Sequence, residues 1–287
     1  IVFQGQFFDL EVFLKGFYAF VFFCVIASGV YLINDIRDAE KDRMHPVKKN
    51  RPIAAGKISV HFATAVAIIA FAGFIPLSFI VIGRHFGMIL CVYVLLQIAY
   101  TLKLKDVIIV DALTISIGFI LRAFAGALAI PLSISSWLVL AIIGVSLLLA
   151  FGKRRAERTL LVAQGISKES TRTILKHYPE NLLDSMISMS ASFSIITYSL
   201  FAFQSSSDET IKSTLTKFLP SILAGPRLLM LTIPIVIYCV GRYLYIIYEK
   251  KEGESPERVL LSDKPFLFSV VLWTVVVLLI TNIIPSL

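Results

Sequence analysis

Across 287 residues the chain is 57% hydrophobic and only 16% charged, with a mean hydropathy of +0.84. Soluble domains run at roughly 45–50% apolar and about 25% charged, so a soluble enzyme, a disordered chain and a secreted disulfide scaffold are excluded. An all-α, polytopic helical membrane protein remains, and the net charge of +8, from 27 Lys and Arg against 19 Asp and Glu, poses a question of sidedness across a bilayer rather than one of nucleic-acid binding.

A hydrocarbon core about 30 Å thick needs roughly 20 mostly apolar helical residues. In chain order the stretches that qualify are Val12–Ile33, Ser59–Ile82, Phe86–Leu102, Val107–Ile130, Trp137–Phe151, Leu183–Phe203, Leu228–Tyr248 and Phe266–Ile284. No Gly/Ser-rich linker separates them, so residues 1–287 read as a single transmembrane domain. Cys24, Cys91 and Cys239 each sit in an apolar run without metal-like spacing and read as small core residues. No two histidines stand at i, i+4, which argues against zinc or haem.

Basic residues fall on alternate connections. Asn34–Lys57, Lys103–Asp106, Lys153–Glu180 and Glu249–Pro265 together hold 20 of the 27 Lys and Arg. Between them lie Arg84, the uncharged Pro131–Ser136, and Lys212, Lys217 and Arg227. The positive-inside rule places the four basic connections in the cytoplasm. Eight spans then put residue 1 outside, and Ile1–Asp9 reads as the end of a helix and a short outer turn. A further span ahead of it is expected, giving nine in the full chain.

The first basic connection opens with carboxylates. Asp35, Asp38 and Asp42 stand at i, i+3 and i+7, with Asn34 four residues before Asp38; on a helix these share one face. Unpaired charge at the membrane boundary is costly, and hard oxygen donors in such a group suit Mg²⁺, which commonly bridges carboxylates to substrate phosphates. A solvated helix end is the bland alternative. The basic turn that follows, His45-Pro-Val-Lys-Lys-Asn-Arg-Pro52, weighs against it, because carboxylates with a metal beside Lys and Arg are what a diphosphate needs.

Further along, Tyr100-Thr-Leu-Lys-Leu-Lys105 could offer a tyrosine and a lysine to the same cytoplasmic cavity, with Asp111 at the start of the next span. Arg122 lies inside that span and either faces a polar cavity or snorkels to the outer face. Gly152-Lys-Arg-Arg-Ala-Glu157 ends the fifth span, with Lys153, Arg154 and Glu157 inside one turn; Arg suits forked phosphate binding. Positive-inside anchoring accounts for Arg155 and Arg158, and interface snorkelling for Arg242. An acidic loop of the soluble phosphoribosyltransferase kind is discarded at Val107–Asp111, since position 112 is Ala and the segment lies in a span.

These residues resemble the UbiA-type superfamily of intramembrane prenyltransferases: Asn34-Asp-x-x-Asp-x-x-x-Asp42 at the end of a span, Lys48 and Arg51-Pro52 after it, and cytoplasmic loops between alternating helices. The resemblance covers the chain from Phe3 and implies a UbiA-like helical bundle. Members that prenylate aromatic rings usually carry a second Asp-rich motif, and here that loop is basic, Gly152-Lys-Arg-Arg-Ala-Glu157. In this the chain is similar to one branch, the decaprenyl-phosphate phosphoribosyltransferases, as it is in Asn34-Asp-x-Arg-Asp38, Asp42-Arg-x-His-Pro46, Lys105, Phe119-x-x-Arg122-Ala and the longer Tyr100-to-Lys105 spacing.

The branch implies a bacterial inner-membrane transferase with cytoplasmic catalytic loops, moving 5-phosphoribosyl from phosphoribosyl pyrophosphate to a polyprenyl phosphate. Asp35, Asp38 and Asp42, helped by Asn34, would hold Mg²⁺ and form the catalytic group. Arg43, Lys48 and Arg51 would take donor phosphates. Lys153, Arg154 and Lys105 would serve the 5-phosphate or the lipid phosphate, with Glu157 on ribose hydroxyls or orienting Lys153, and Tyr100 and Arg122 completing the binding set. A homo-oligomer is compatible with all of this. The alternative is an aromatic prenyltransferase using a polyprenyl diphosphate, against which the missing second acidic cluster argues; a transporter would carry its polar site near the midplane.

Overall fold

Asp9 starts the first long helix. Its Oδ1 accepts the amides of Glu11 at 3.0 Å and Val12 at 3.2 Å, which satisfies donors that no helical carbonyl can reach. Helix α1 then runs Leu10–Arg43, 34 residues, or about 51 Å at the α-helical rise. That exceeds a bilayer core of about 30 Å. The helix therefore does not stop where the apolar run ends at Ile33, and carries Asn34–Arg43 onward in the same backbone.

The computed structural model describes residues 2–44, 48–130, 134–163, 178–205, 228–250 and 256–283. Among the sequence features, His45, Pro46, Lys168, Arg172, Lys176, Lys212, Lys217, Arg227 and Lys251 lie outside the described residues. Every described element is helical. After α1 come α2 (Val60–Val81), α3 (Arg84–Leu102), α4 (Val110–Ala129), α5 (Ser136–Ala163), α6 (Glu180–Ser205), α7 (Ile233–Tyr245), the short α8 (Pro256–Ser262) and α9 (Lys264–Leu278). Among the described residues 8 helices are long and apolar enough to cross a membrane, in register with the expected spans. The seventh span joins the turn Leu228–Thr232, α7 and a π-helical turn, Ile246–Lys250. Ser59 caps α2 by accepting from Phe62 N at 3.2 Å, and Asp263 caps α9 by accepting from Phe266 N at 2.9 Å.

The chain divides into two compact units. Unit 1 comprises Ile1–Phe13, Ile134–Thr159 and Glu180–Leu287; unit 2 comprises Leu14–Ser133 and Leu160–Pro179. In unit 1 the core gathers Ala141, Phe201, Ala202, Leu229 and Val277 around Tyr198. The Tyr198 hydroxyl meets Thr232 Oγ1 at 2.5 Å and accepts from Trp273 Nε1 at 2.8 Å, so these three polar tips satisfy one another inside the apolar bundle. Gly144 is required by contact: a Cβ there would come within 2.7 Å of Ser194 Cα on α6. In the same unit Asn282 donates to Val2 O at 3.0 Å and accepts from Phe7 N at 2.9 Å.

In unit 2, α3 packs between α2 and α4. The segment after α1 folds back on it. Ile53 is buried with Ala39 and Ala63, Gly56 closes the turn at φ 73°, and Arg43 Nε donates to Ala54 O at 3.2 Å. This return places Arg51 over the end of α1.

Large apolar side chains face outward along the spans, such as Ile69, Ile80, Leu95 and Phe268, as lipid contact demands. The cysteines follow the same logic and correct the expectation. Cys24 is exposed on α1, and Cys91 and Cys239 are half-buried. In a span an apolar run does not separate core from lipid face, so none of the three is a core residue.

Candidate active site

The expected acidic face exists, and it is split. In helical projection Asp35 and Asp42, seven residues apart, differ by only about 20°. Asp38 is rotated by roughly 60° from Asp35 and lies on the same side as Asn34, four residues before it. The contacts follow these angles. Arg51 Nη1 bridges Asp35 Oδ1 at 2.8 Å and Asp42 Oδ2 at 2.9 Å. Asp38 Oδ1 instead meets Lys105 Nζ at 2.6 Å. Asn34 Oδ1 accepts from Thr101 Oγ1 at 3.5 Å, and Arg37 Nη2 donates to Leu102 O at 3.2 Å. One side of the helix end thus addresses the returning segment and the other addresses the end of α3.

Asp38 and Asp42 are buried, Asp35 and Arg51 half-buried, and Lys105 is almost wholly enclosed. Of the sequence-predicted residues, the structure brings Asp35, Asp42 and Arg51 into one group and Asp38 and Lys105 into an adjoining one. Lys48 opens a short helical turn, Lys48–Asn50, just ahead of Arg51. Tyr100 is half-buried in the last turn of α3. Arg43 supports the returning segment through Ala54.

The donor set is hard oxygen throughout, and the two carboxylates that share Arg51 Nη1 converge on one point. These residues fit a divalent cation. Among the described residues, however, no three His, Cys, Asp or Glu side chains already form a metal-holding group. The carboxylates are neutralised by Arg51 and Lys105, which are the residues expected to receive phosphates. The two roles are compatible, because a cation arriving with an anionic partner gives both side chains a new ligand.

Arg122 is held inside unit 2. Its Nη2 donates to Tyr93 Oη at 3.0 Å, and its guanidinium carbon lies 4.9 Å from the Phe119 ring centroid, 5.5 Å from Tyr93 and 6.0 Å from Phe23. Aromatic faces and a hydroxyl stabilise the charge where it stands.

In unit 1 the end of α5 carries a second charged group. Arg154 Nη1 meets Glu157 Oε2 at 2.7 Å, with the two side chains 1% and 4% exposed. Glu157 therefore pairs with Arg154, while Lys153 is half-buried beside them. Arg155, for which positive-inside anchoring accounts, also makes specific contacts. Its Nε donates to Asp184 Oδ1 at 2.6 Å and its guanidinium lies 4.2 Å from the Tyr248 ring centroid, so it ties α5 to α6 and to the π-helical turn. Arg242 makes a forked pair with Asp263 at 3.0 and 2.9 Å.

Sequence reasoning noted Asp111 but missed the group to which it belongs. Asp111, fully buried in the first turn of α4, accepts from Tyr178 Oη at 2.6 Å, and the same hydroxyl accepts from Ile109 N at 2.6 Å. The sequence signal was an acid at the start of a span with no partner nearby in the chain.

Comparison with known proteins bears on this arrangement. Residues 2–154 match the UbiA prenyltransferase family. The chain is 34% identical over 272 residues to the decaprenyl-phosphate phosphoribosyltransferase of Corynebacterium glutamicum, spanning 93% of this chain and 76% of that protein. The proteins of the same name from Mycolicibacterium smegmatis and Mycobacterium tuberculosis H37Rv are 37% and 35% identical over 64% and 68% of this chain. This chain spans 57% and 63% of their lengths. Among solved structures, a UbiA homolog from Archaeoglobus fulgidus bound to GPP and Mg²⁺ matches with a TM-score of 0.65 at 15% identity, over 95% of this chain and 88% of that one. That likeness is one of fold.

Proposed function

This chain belongs to the UbiA prenyltransferase family, and we propose that it transfers 5-phosphoribosyl from phosphoribosyl pyrophosphate to a polyprenyl phosphate, decaprenyl phosphate being the first acceptor to test. The observation that carries the reading is the charge at the end of α5. Where an aromatic prenyltransferase would need a second carboxylate cluster, unit 1 presents Lys153, the buried Arg154–Glu157 pair and Arg155. The naming of the relatives that span most of this chain supports the same choice.

In the proposed reaction a phosphate oxygen of the lipid bonds to C1 of the ribose as the bond from C1 to the pyrophosphate oxygen breaks. The electron pair leaves with pyrophosphate. The acceptor is already ionised, so no general base is called for, and positioning with electrostatic stabilisation carries the catalysis. Asn34, Asp35, Asp38 and Asp42 would hold Mg²⁺, which when bound neutralises the leaving group. Arg51, with Lys48 on the same returning segment and Arg43 at the end of α1, takes donor phosphates, and Lys105 turns from Asp38 to a phosphate oxygen. Lys153 and Arg154 bind a phosphate, with Glu157 fixing the Arg154 guanidinium. The whole chain acts as one catalytic domain of a bacterial inner membrane, with the acidic end of α1 on the cytoplasmic side.

Purified protein incubated with Mg²⁺, labelled phosphoribosyl pyrophosphate and decaprenyl phosphate should yield labelled lipid on extraction. Absence of lipid label, together with prenylation of 4-hydroxybenzoate from a polyprenyl diphosphate, would overturn the reading.

A further inference from the structure

Lys105 faces Asp38 because the chain between α3 and α4 holds a particular shape. After the helical turn Leu104–Asp106 the backbone reaches Ile109 at φ 68° and ψ −43°. It is the one non-glycine residue with positive φ among the described residues. A β-branched side chain is disfavoured there by the crowding of Cβ against neighbouring carbonyl oxygens. Such a conformation persists only where its surroundings impose it.

Tyr178 imposes it. Its ring is buried, and its hydroxyl accepts from Ile109 N and donates to Asp111 Oδ1, each at 2.6 Å. One oxygen thus grips residues on both sides of Val110, where α4 begins. The tyrosine arrives from a remote part of unit 2, directly before Pro179 and α6. Asp111 sits in the first helical turn, where a carboxylate is favoured by the exposed amides and the helix dipole, and it anchors the hydroxyl from the far side.

We propose that Tyr178 is a positioning residue: through Ile109 and Asp111 it fixes the turn that carries Lys105 opposite Asp38. The inference rests on the role given above to Lys105 and Asp38, and Tyr178 acts through the backbone of the turn rather than on substrate. Its hydroxyl is the effective part, so a phenylalanine that fills the same space does not replace it.

Hydrogen–deuterium exchange on the full chain in lipid nanodiscs tests the latch without reference to activity. Tyr178→Phe should speed exchange of the Ile109 amide and its neighbours by about tenfold, the equivalent of one lost hydrogen bond. In turnover assays Tyr178→Phe should lower kcat/KM by roughly tenfold or more, as loss of alignment does. It should cause no further loss when added to Lys105→Ala. Ile109→Gly should recover most of the activity of Tyr178→Phe, because glycine adopts this φ without a Cβ penalty. Unchanged exchange in Tyr178→Phe, a full additional loss in the Lys105→Ala background, or no recovery with Ile109→Gly would each overturn the proposal. If Tyr178→Phe does not fold, Asp111→Asn, which keeps the shape and weakens the anchor, must show the same faster exchange. A wild-type protein that transfers no phosphoribosyl group would sink the functional reading, and the exchange result would still decide the latch.

Discussion

Lys105 and Asp38 lie 67 residues apart in sequence and 2.6 Å apart in space, with side chains 6% and 12% exposed. An ion pair so enclosed is a demanding arrangement. Each partner has given up water, and removal of one takes a charge-assisted hydrogen bond from the other in an enclosed place. The pair also joins the acidic helix end to the turn after α3, so its integrity has both a structural and a functional reading.

These two readings separate by mutation. Lys105→Met should destabilise the protein by about 3–5 kcal/mol, the usual cost of stranding one member of a buried pair. The double change Asp38→Asn with Lys105→Met should regain most of that stability and stay inactive. Thermal unfolding in detergent, set beside turnover, checks this. An active double variant would show that the pair only holds the fold.

Arg51 bridges two carboxylates with one nitrogen, and its replacement has two opposite effects. Arg51→Gln should raise the KM for phosphoribosyl pyrophosphate by about tenfold or more, because a charge-assisted phosphate contact is lost. The same change unmasks Asp35 and Asp42, so Mg²⁺ alone should stabilise the variant against heat at lower concentration than it stabilises the wild type. Equal Mg²⁺ dependence in the two proteins would show that Arg51 does not shield the carboxylates.

The Arg154–Glu157 pair predicts a contrast with its neighbour. Glu157→Gln leaves a guanidinium buried beside a neutral amide and should lower stability by about 3–5 kcal/mol. Lys153→Ala, at a half-buried position, should leave the melting temperature nearly unchanged and raise the KM for one phosphate substrate. A KM and kcat both at wild-type values for Lys153→Ala would remove it from the site.

Arg122 offers a test of whether charge in the span serves binding. Arg122→Gln retains a donor for Tyr93 and removes the cation from the ring faces. The KM for the lipid acceptor should rise while the KM for the donor holds. A variant that only melts earlier, with both KM values intact, would make Arg122 a packing residue.

Much of this was legible before any coordinates. The apolar runs located the spans because a bilayer permits few solutions, and the 3-and-7 spacing of Asp35, Asp38 and Asp42 put three acids at one helix end. The division of that face followed from angles of about 20° and 60°, but its partners did not. Arg51 and Lys105 could be named as phosphate-binding types without any hint of which acid each would meet. The pairs Arg155–Asp184, Arg242–Asp263 and Tyr178–Asp111 stayed hidden for a common reason: in each the second member comes from another stretch of chain, and no local pattern records it. Cys24 misled because an apolar run in a membrane protein looks the same from the core and from the lipid side.

The clasp of Asn282 on Val2 and Phe7 bears on the order of assembly. Unit 1 is drawn from three separate pieces of chain, and this contact joins residues 275 and more apart. Long-range closures of this kind come late, since the loop entropy must be met before any contact rewards it. Most of unit 2, with the acidic end of α1, Arg51 and Lys105, has by then been synthesised as one continuous stretch, Leu14–Ser133. A ribosome-stalled chain ending before α6 would therefore already contain the Asp38–Lys105 pair, while unit 1 would still await α6, α7, α8 and α9.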